Sequence, residues 1–119
     1  MKKQPSFRPV YWMGDSLKTL RSFPEEAQDD IGHSLMLVQA GLTPLEAKPL
    51  TGVGSGVFEI VTRYDSDTYR TVYAVKLGNH IYVLHVFQKK SKTGIKTPQQ
   101  DIDLILKRFK EAQRREGQP

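Results

Sequence analysis

Residues 57–88, VFEIVTRYDSDTYRTVYAVKLGNHIYVLHVFQ, contain three apolar runs separated by two short polar turns. The runs cover residues 57–64, 68–77 and 80–88, and all three are rich in β-branched and aromatic residues, which favour strands. The intervening DSD and GN sequences are typical of tight turns. Since both connections are short, the three strands are predicted to form an antiparallel meander.

Helical patterns precede the meander. Asp15 is a suitable N-cap for a short helix in SLKTLRSF, residues 16–23. A longer helix is predicted over residues 24–40, because Pro24 and two glutamates suit a first turn and Gly41 suits a terminus. Its apolar residues recur at helical spacing and form one stripe: Ala27, Ile31, Leu35 and Val38.

A third helix follows the meander. Thr97 and Gln100 resemble a capping box, with Thr97 as the N-cap. An apolar stripe then runs through Ile102, Ile105, Leu106 and Phe109. The remaining basic tail, residues 113–119, contains no strongly apolar side chain and is expected to fray. The glycine- and proline-rich residues 41–56 are predicted to be a loop.

A strand is also predicted over residues 8–14, so the element order is β-α-α-β-β-β-α. This order indicates an α+β fold with a mostly antiparallel four-stranded sheet. We expect the helices to cover one face of the sheet and the other face to be partly open. The 119 residues suit a single domain spanning 1–119, with an ordered core over about residues 8–110.

The composition excludes several classes of protein. The chain contains no cysteine, which rules out disulfides, thiol catalysis and cysteine zinc sites. Three scattered histidines make a metal site unexpected, and no cofactor motif is present. No long apolar run or secretory signal is present, so a cytoplasmic protein that does not bind membranes is expected. The net charge of +5 favours a polyanionic partner.

The positive charge concentrates after the last strand. In LHVFQKKSKTGIKTP, residues 84–98, an apolar strand pattern runs into lysines with no carboxylate among them. The short hairpin should bring Arg63 near Arg70, and Lys48 can approach from the loop. Strict alternation would place Ile81, Val83, His85 and Phe87 on one face of the last strand. A patch that binds an RNA backbone is therefore predicted, comprising Lys48, Arg63, Arg70, Lys89, Lys90, Lys92 and Lys96.

This patch could also perform chemistry. Metal-free RNA cleavage needs a proton acceptor for the 2′-OH, a group that stabilises the phosphate charge, and a proton donor to the leaving oxygen. Arg70 suits the second role because its planar fork grips two phosphate oxygens. A lysine or His85 could move protons, and Phe87 could stack on a base. Alternatively, the lysines are a solvated strand end and His85 and Phe87 are packing residues.

Four stretches carry a resemblance to a known family: RPVYWMGDSLKTLRSFP, KPLTGVGSGVFEI, DTYRTVYAV and LHVFQKKSKTGIKTPQQDIDLI. Over about residues 8–110 the chain resembles the RelE/HigB-like toxins of type II toxin–antitoxin pairs, and more narrowly their phage-related branch. The resemblance implies a RelE-like fold and a ribosome-dependent mRNA endoribonuclease without a cofactor. It also implies an antitoxin of the helix-turn-helix class, and binding of operator DNA mainly through that antitoxin.

The resemblance also implies residue roles. Arg70 in YRTVY matches the phosphate-stabilising arginine, and Lys48 in KPL matches a basic loop position. Lys89 and Lys90 match the paired lysines of FxKK, and Lys96 matches the lysine of KTP. His85 matches a histidine of this branch. The chain lacks the catalytic tyrosine of the RelE branch, so the general base stays open between Lys90 and His85.

Two other functions remain open. A non-catalytic RNA- or protein-binding module could retain the toxin fold without cutting RNA. A DNA-binding domain is less favoured, because the predicted helices carry apolar stripes and acidic starts instead of a basic recognition face.

Overall fold

The computed structural model describes residues 7–89 and 97–117, which form five strands and three helices. In chain order the elements are β1 Val10–Trp12, α1 Ser16–Arg21, α2 Glu25–Gln39, β2 Ala47–Pro49, β3 Val57–Tyr64, β4 Asp67–Ala74, β5 Ile81–Lys89 and α3 Gln99–Arg115. This is an α+β fold, as the sequence predicts. None of the helices in these residues is long and apolar enough to cross a membrane.

The sheet has five strands in the order β1-β5-β4-β3-β2, so the predicted count of four is wrong. The additional strand, β2, lies in the predicted loop and pairs antiparallel with β3, with Lys48 opposite Glu59. A three-residue edge strand that ends in proline gives no alternating pattern, which explains why the sequence signals only a loop. The meander of β3, β4 and β5 is antiparallel as predicted, whereas β1 pairs parallel with β5.

Helices cover both faces of the sheet, which corrects the prediction that they lie on one face. The stripe of α2 packs on the first face, where Ile31 and Leu35 join a buried cluster with Ile60 and Tyr73. Helix α3 packs on the second face, and its buried residues join a separate cluster: Ile105, Phe109 and Ala112 with Val57, Val72, Tyr82 and Leu84.

The last strand does not alternate strictly. A β-bulge shifts the register between β4 and β5, so that Val72 lies opposite His85 while Tyr73 lies opposite Val83. The extra residue at Leu84 moves His85 and Phe87 to the α3 face, while Ile81 and Val83 remain on the α2 face. The prediction that all four share one face is therefore wrong.

Of the two predicted N-caps, Asp15 is confirmed for α1, whereas Thr97 is wrong for α3 because Pro98 occupies that position. Asp15 and Pro98 are the N-caps of α1 and α3, and neither makes a side-chain capping hydrogen bond. The Asp15 carboxylate accepts a hydrogen bond from Arg108 instead, and Thr97 donates its hydroxyl proton to Glu59. Instead of capping a helix locally, the side chains of Asp15 and Thr97 therefore bind charged residues that are distant in the sequence.

The end of α3 also differs from the prediction. The helix continues to Arg115, into the tail that was expected to fray. The guanidinium of Arg115 lies 3.8 Å from the ring centroid of Tyr11, and the Tyr82 hydroxyl donates a hydrogen bond to Glu116. These contacts with β1 and β5 stabilise the last helical turn.

Candidate active site

A buried ion pair between two strands lies at the centre of the site. Arg70 of β4 and Glu59 of β3 are 5% and 1% exposed, and their Nη1 and Oε1 atoms are 2.5 Å apart. Burying charged groups is unfavourable unless they are paired and hydrogen-bonded. The Nε of Arg70 has no hydrogen-bond partner among the described residues. This nitrogen is also inaccessible to solvent, so Arg70 carries a buried donor without a partner among the described residues.

Two further groups contact Glu59 from neighbouring elements. The Lys48 ammonium of β2 lies 4.0 Å from its Oε1, and 53% of the Lys48 side chain is exposed. The Thr97 hydroxyl donates to its Oε2 across 3.2 Å. Since α3 begins at Gln99, its first turn lies beside Glu59. The unpaired N–H groups of a helix start carry partial positive charge, so they add to the positive potential around this carboxylate.

Lys89, at the end of β5, lies on the same sheet face. Arg70 pairs with Phe87, and Lys89 is two residues further along β5. Burial lowers the pKa of the Lys89 ammonium, the positive charges of Arg70 and Lys48 lower it further, and Glu59 opposes the shift. A lysine with a lowered pKa releases its proton more readily, which suits a proton donor.

Two shallow grooves open beside the ion pair. One, of about 420 Å³, is lined by Lys48, Arg63 and Arg70 together with Val61 of β3 and residues 45–47, which include Glu46. The other, of about 350 Å³, lies on the opposite side of Lys48 and is lined by Glu59, Thr97 and Ile102 among others. Arg63 and Arg70 thus meet at one groove, as the short hairpin predicts. Together we call these two grooves the cleft.

His85 connects β5 to α3. Its Nε2 lies 2.7 Å from Asp101 Oδ1, and its Nδ1 lies 3.4 Å from the Arg108 guanidinium. Arg108 also donates to the Leu84 carbonyl and, across 2.9 Å, to Asp15. Both ring nitrogens therefore have partners, which corresponds to the packed alternative left open by the sequence. No group of three or more histidine or acidic side chains in residues 7–89 and 97–117 could hold a metal ion.

Phe87 packs against the same histidine. The two rings stack with centroids 4.9 Å apart and an interplanar angle of 18°. Phe87 is buried and contributes to the cluster under α3. The contacts seen here are packing contacts, and the predicted base stacking stays a prediction.

The structure brings most of the predicted residues together. Six of them lie on the α3 face of the sheet: Lys48, Arg63, Arg70, His85, Phe87 and Lys89. Lys90, Lys92 and Lys96 lie outside the described residues, and their roles stay predictions.

Sequence reasoning missed Glu59. One signal was present: in VFEIVTRY an acid occupies a position whose neighbours are all apolar, and two-residue periodicity places it on the same face as Arg63. Its pairing with Arg70 depends on the strand register, with Glu59 opposite Val72 and Arg70 opposite Val61.

Comparison with known proteins gives one family. No curated protein matches the chain significantly. Residues 18–110 match the family described as "Phage derived protein Gp49-like (DUF891)", and this match covers more than three quarters of the chain, from α1 to the middle of α3. It includes β2 to β5, and therefore every described residue of the cleft. The chain belongs to the phage-derived Gp49-like family.

Proposed function

We propose that this protein is the toxin of a type II toxin–antitoxin pair and that it cuts mRNA on the ribosome without a metal ion. Membership of the phage-derived Gp49-like family is compatible with such a toxin. The observation that carries the proposal is that three cations, Lys48, Arg63 and Arg70, line one groove of the cleft. Cations gathered in this way suit the phosphate backbone of RNA, and an arginine fork can hold two phosphate oxygens.

The cleft offers a group for each step of the reaction. The 2′-OH attacks the adjacent phosphorus, and the Glu59 carboxylate accepts the 2′-OH proton. Arg70 stabilises the charge that develops on the non-bridging oxygens. Lys89 donates its proton to the departing 5′-oxygen, so the products are a 2′,3′-cyclic phosphate and a 5′-hydroxyl. A proton donor must be protonated but not too basic, which agrees with the lowered pKa of Lys89.

This assignment replaces the base suggested by the resemblance. His85 contacts Asp101 and Arg108, so we assign it to positioning β5 against α3. Lys90 remains a candidate to move protons. Lys48 and Arg63 hold the RNA backbone, and Lys92 and Lys96 extend this contact.

The proposed substrate is mRNA in the ribosomal A site, which requires a cytoplasmic protein. The proposed partner is a helix-turn-helix antitoxin that inhibits the toxin and provides most contacts with operator DNA.

A non-catalytic binding module is the second candidate, and one observation favours it. Glu59 already pairs with Arg70 across 2.5 Å, and a buried pair of this kind can be purely structural. Such a module would bind RNA or protein through its exposed cations alone, and each cation would contribute a similar small share.

The test is induced expression in a bacterium that lacks the antitoxin, with mRNA 5′ ends mapped. Arg70→Ala leaves Glu59 buried without its partner and could unfold the protein, so Arg70→Lys is the more informative variant. It keeps a positive charge beside Glu59 but lacks the planar guanidinium group. The wild type should arrest growth and produce cuts at a fixed position within codons. Arg70→Lys should reduce cleavage about 100-fold or more, because a lost transition-state donor has effects of this size.

The matched control is Arg21→Lys, an equivalent change at an exposed residue of α1. It should arrest growth like the wild type. If Arg70→Lys cuts as well as the wild type, Arg70 is not catalytic. If the wild type accumulates without arrest or new cuts, the protein is a binding module.

A further inference from the structure

The glycine-rich loop, residues 51–56 with the sequence TGVGSG, forms one wall of a third groove. A Cβ atom at Gly54 would clash with the ring of Phe109 from α3, so only glycine lets the loop pack this closely. Gly56 has a φ of +77°, and a Cβ there would meet the methylene stem of Lys76. These two glycines bring the loop, α3 and the segment after β4 together.

This groove has an apolar floor and a cationic rim, and its volume is about 410 Å³. The floor consists of Val53, Leu77, Leu106 and Phe109. The polar lining consists of Ser55, Lys76, Lys110 and Gln113. We call it the loop–α3 groove.

The two lysines of the rim lack acidic partners within the part of the chain that the structure describes. Lys76 donates to the Ser55 hydroxyl across 3.1 Å, and no carboxylate lies within ion-pair distance of Lys76 or Lys110. Lys107 and Arg114 are also exposed, and they lie three residues before and four residues after Lys110. Residues at these spacings share one helix face, and Glu111 lies on it too, so three cations outnumber one acid along α3 beside the groove.

The loop–α3 groove is adjacent to the cleft along α3, because Ile102 lines the cleft and Leu106, one turn later, lines the groove, but its cationic rim lies further away. Thr97 marks the cleft end of α3 and Lys110 lies thirteen positions later, which corresponds to roughly 20 Å along the axis of a helix. A ligand could therefore occupy this groove without contacting Glu59 or Arg70.

We propose that the loop–α3 groove binds an acidic, apolar helical segment of a partner protein. Apolar side chains of the segment pack on the floor, while its carboxylates pair with Lys76 and Lys110. RNA fits less well, because Phe109 is 7% exposed with one edge of its ring beneath Gly54, which leaves enough surface for an aliphatic side chain but not a whole ring face for a base. The proposal deepens the proposed function and rests on it for the partner: the segment belongs to the antitoxin.

The test uses the full chain and a fluorescent helix-forming peptide of about four turns, with leucines on one face and glutamates beside them. Comparison probes are the same peptide with lysine in place of glutamate, and oligouridine. The acidic peptide should bind, the basic peptide should not, and oligouridine should not compete. Lys76→Gln combined with Lys110→Gln should weaken binding about tenfold, because each rim ion pair contributes up to about fivefold.

The matched control removes two charges from α1. Lys18→Gln combined with Arg21→Gln changes the net charge equally and should alter binding less than about twofold. Equal effects of the two double variants, no preference for the acidic peptide, or displacement by oligouridine would each overturn the proposal. Peptide binding is measured without RNA cleavage. If the acidic peptide binds but expression does not arrest growth, the result counts against the proposed nuclease function and not against the groove.

Discussion

Both faces of the sheet bury an apolar cluster, but the α3 face also buries charged side chains. Under α2 the core is apolar, with Ile31, Leu35 and Ile60 almost completely inaccessible to solvent. Among the described residues, four acidic or basic side chains are buried, and all four lie on the α3 face: Glu59, Arg70, His85 and Lys89. Apolar burial stabilises a fold, whereas buried charge opposes stability unless it is paired. Both faces therefore support the fold, and the α3 face also holds the residues of the proposed function.

The largest expected effect is on the charged face. Glu59→Ala should lower the free energy of unfolding by about 3–5 kcal/mol, because Arg70 is left buried without a counter-charge. Combining Glu59→Leu with Arg70→Met should restore stability to within about 1 kcal/mol of the wild type, since well-packed apolar residues can replace a buried ion pair. Urea unfolding monitored by circular dichroism measures both differences.

This prediction separates stability from function. The double variant should be folded but unable to cut RNA. A double variant as unstable as Glu59→Ala would mean that the ion pair stabilises the fold, and the contrast between the two faces would then be weaker.

A smaller effect is expected on the apolar face. Ile31→Ala should lower the free energy of unfolding by about 3 kcal/mol, through lost burial and the cavity left under α2. RNA cleavage per folded molecule should not change, because Ile31 lies on the opposite side of the sheet from Arg70. Urea unfolding and a cleavage assay corrected for the folded fraction test the two parts. A specific loss of cleavage in the folded molecules would show that the faces are coupled.

The smallest effect is expected where α1 meets α3. The hydrogen bond from Arg108 lowers the pKa of Asp15 below its ordinary value of 3.8. A lowered carboxyl pKa contributes stability at pH values above 3.8, and this contribution is lost as the pH falls through the folded pKa. Asp15→Asn should therefore reduce stability near neutral pH by at most about 1 kcal/mol, since 64% of the Asp15 side chain is exposed.

Unfolding curves near neutral pH and well below pH 3.8 measure this difference. The gap between Asp15→Asn and the wild type should narrow in acid. A gap of the same size at both pH values would mean that the carboxylate charge is not what stabilises this contact.

Local sequence patterns predicted much of the fold. The stripe through Ile31 and Leu35 predicted α2, and the alternating runs predicted β3, β4 and β5, because side-chain periodicity follows directly from backbone geometry. The patterns did not predict β2, which is too short to have a period, or the bulge at Leu84, which shifts the register without a sequence signal. They also did not indicate which face α3 covers, since an apolar stripe does not identify its partner.

For the site, the amino-acid sequence by itself determined the chemical types: an excess of cations, an arginine within a strand and no cysteine. The tertiary structure alone decided which of them meet. Glu59 faces Arg70, Thr97 reaches Glu59 instead of capping α3, and His85 contacts Asp101 and Arg108 instead of standing free. The physical reason is that a buried charge needs a partner, and strand register and helix packing bring that partner from distant parts of the chain.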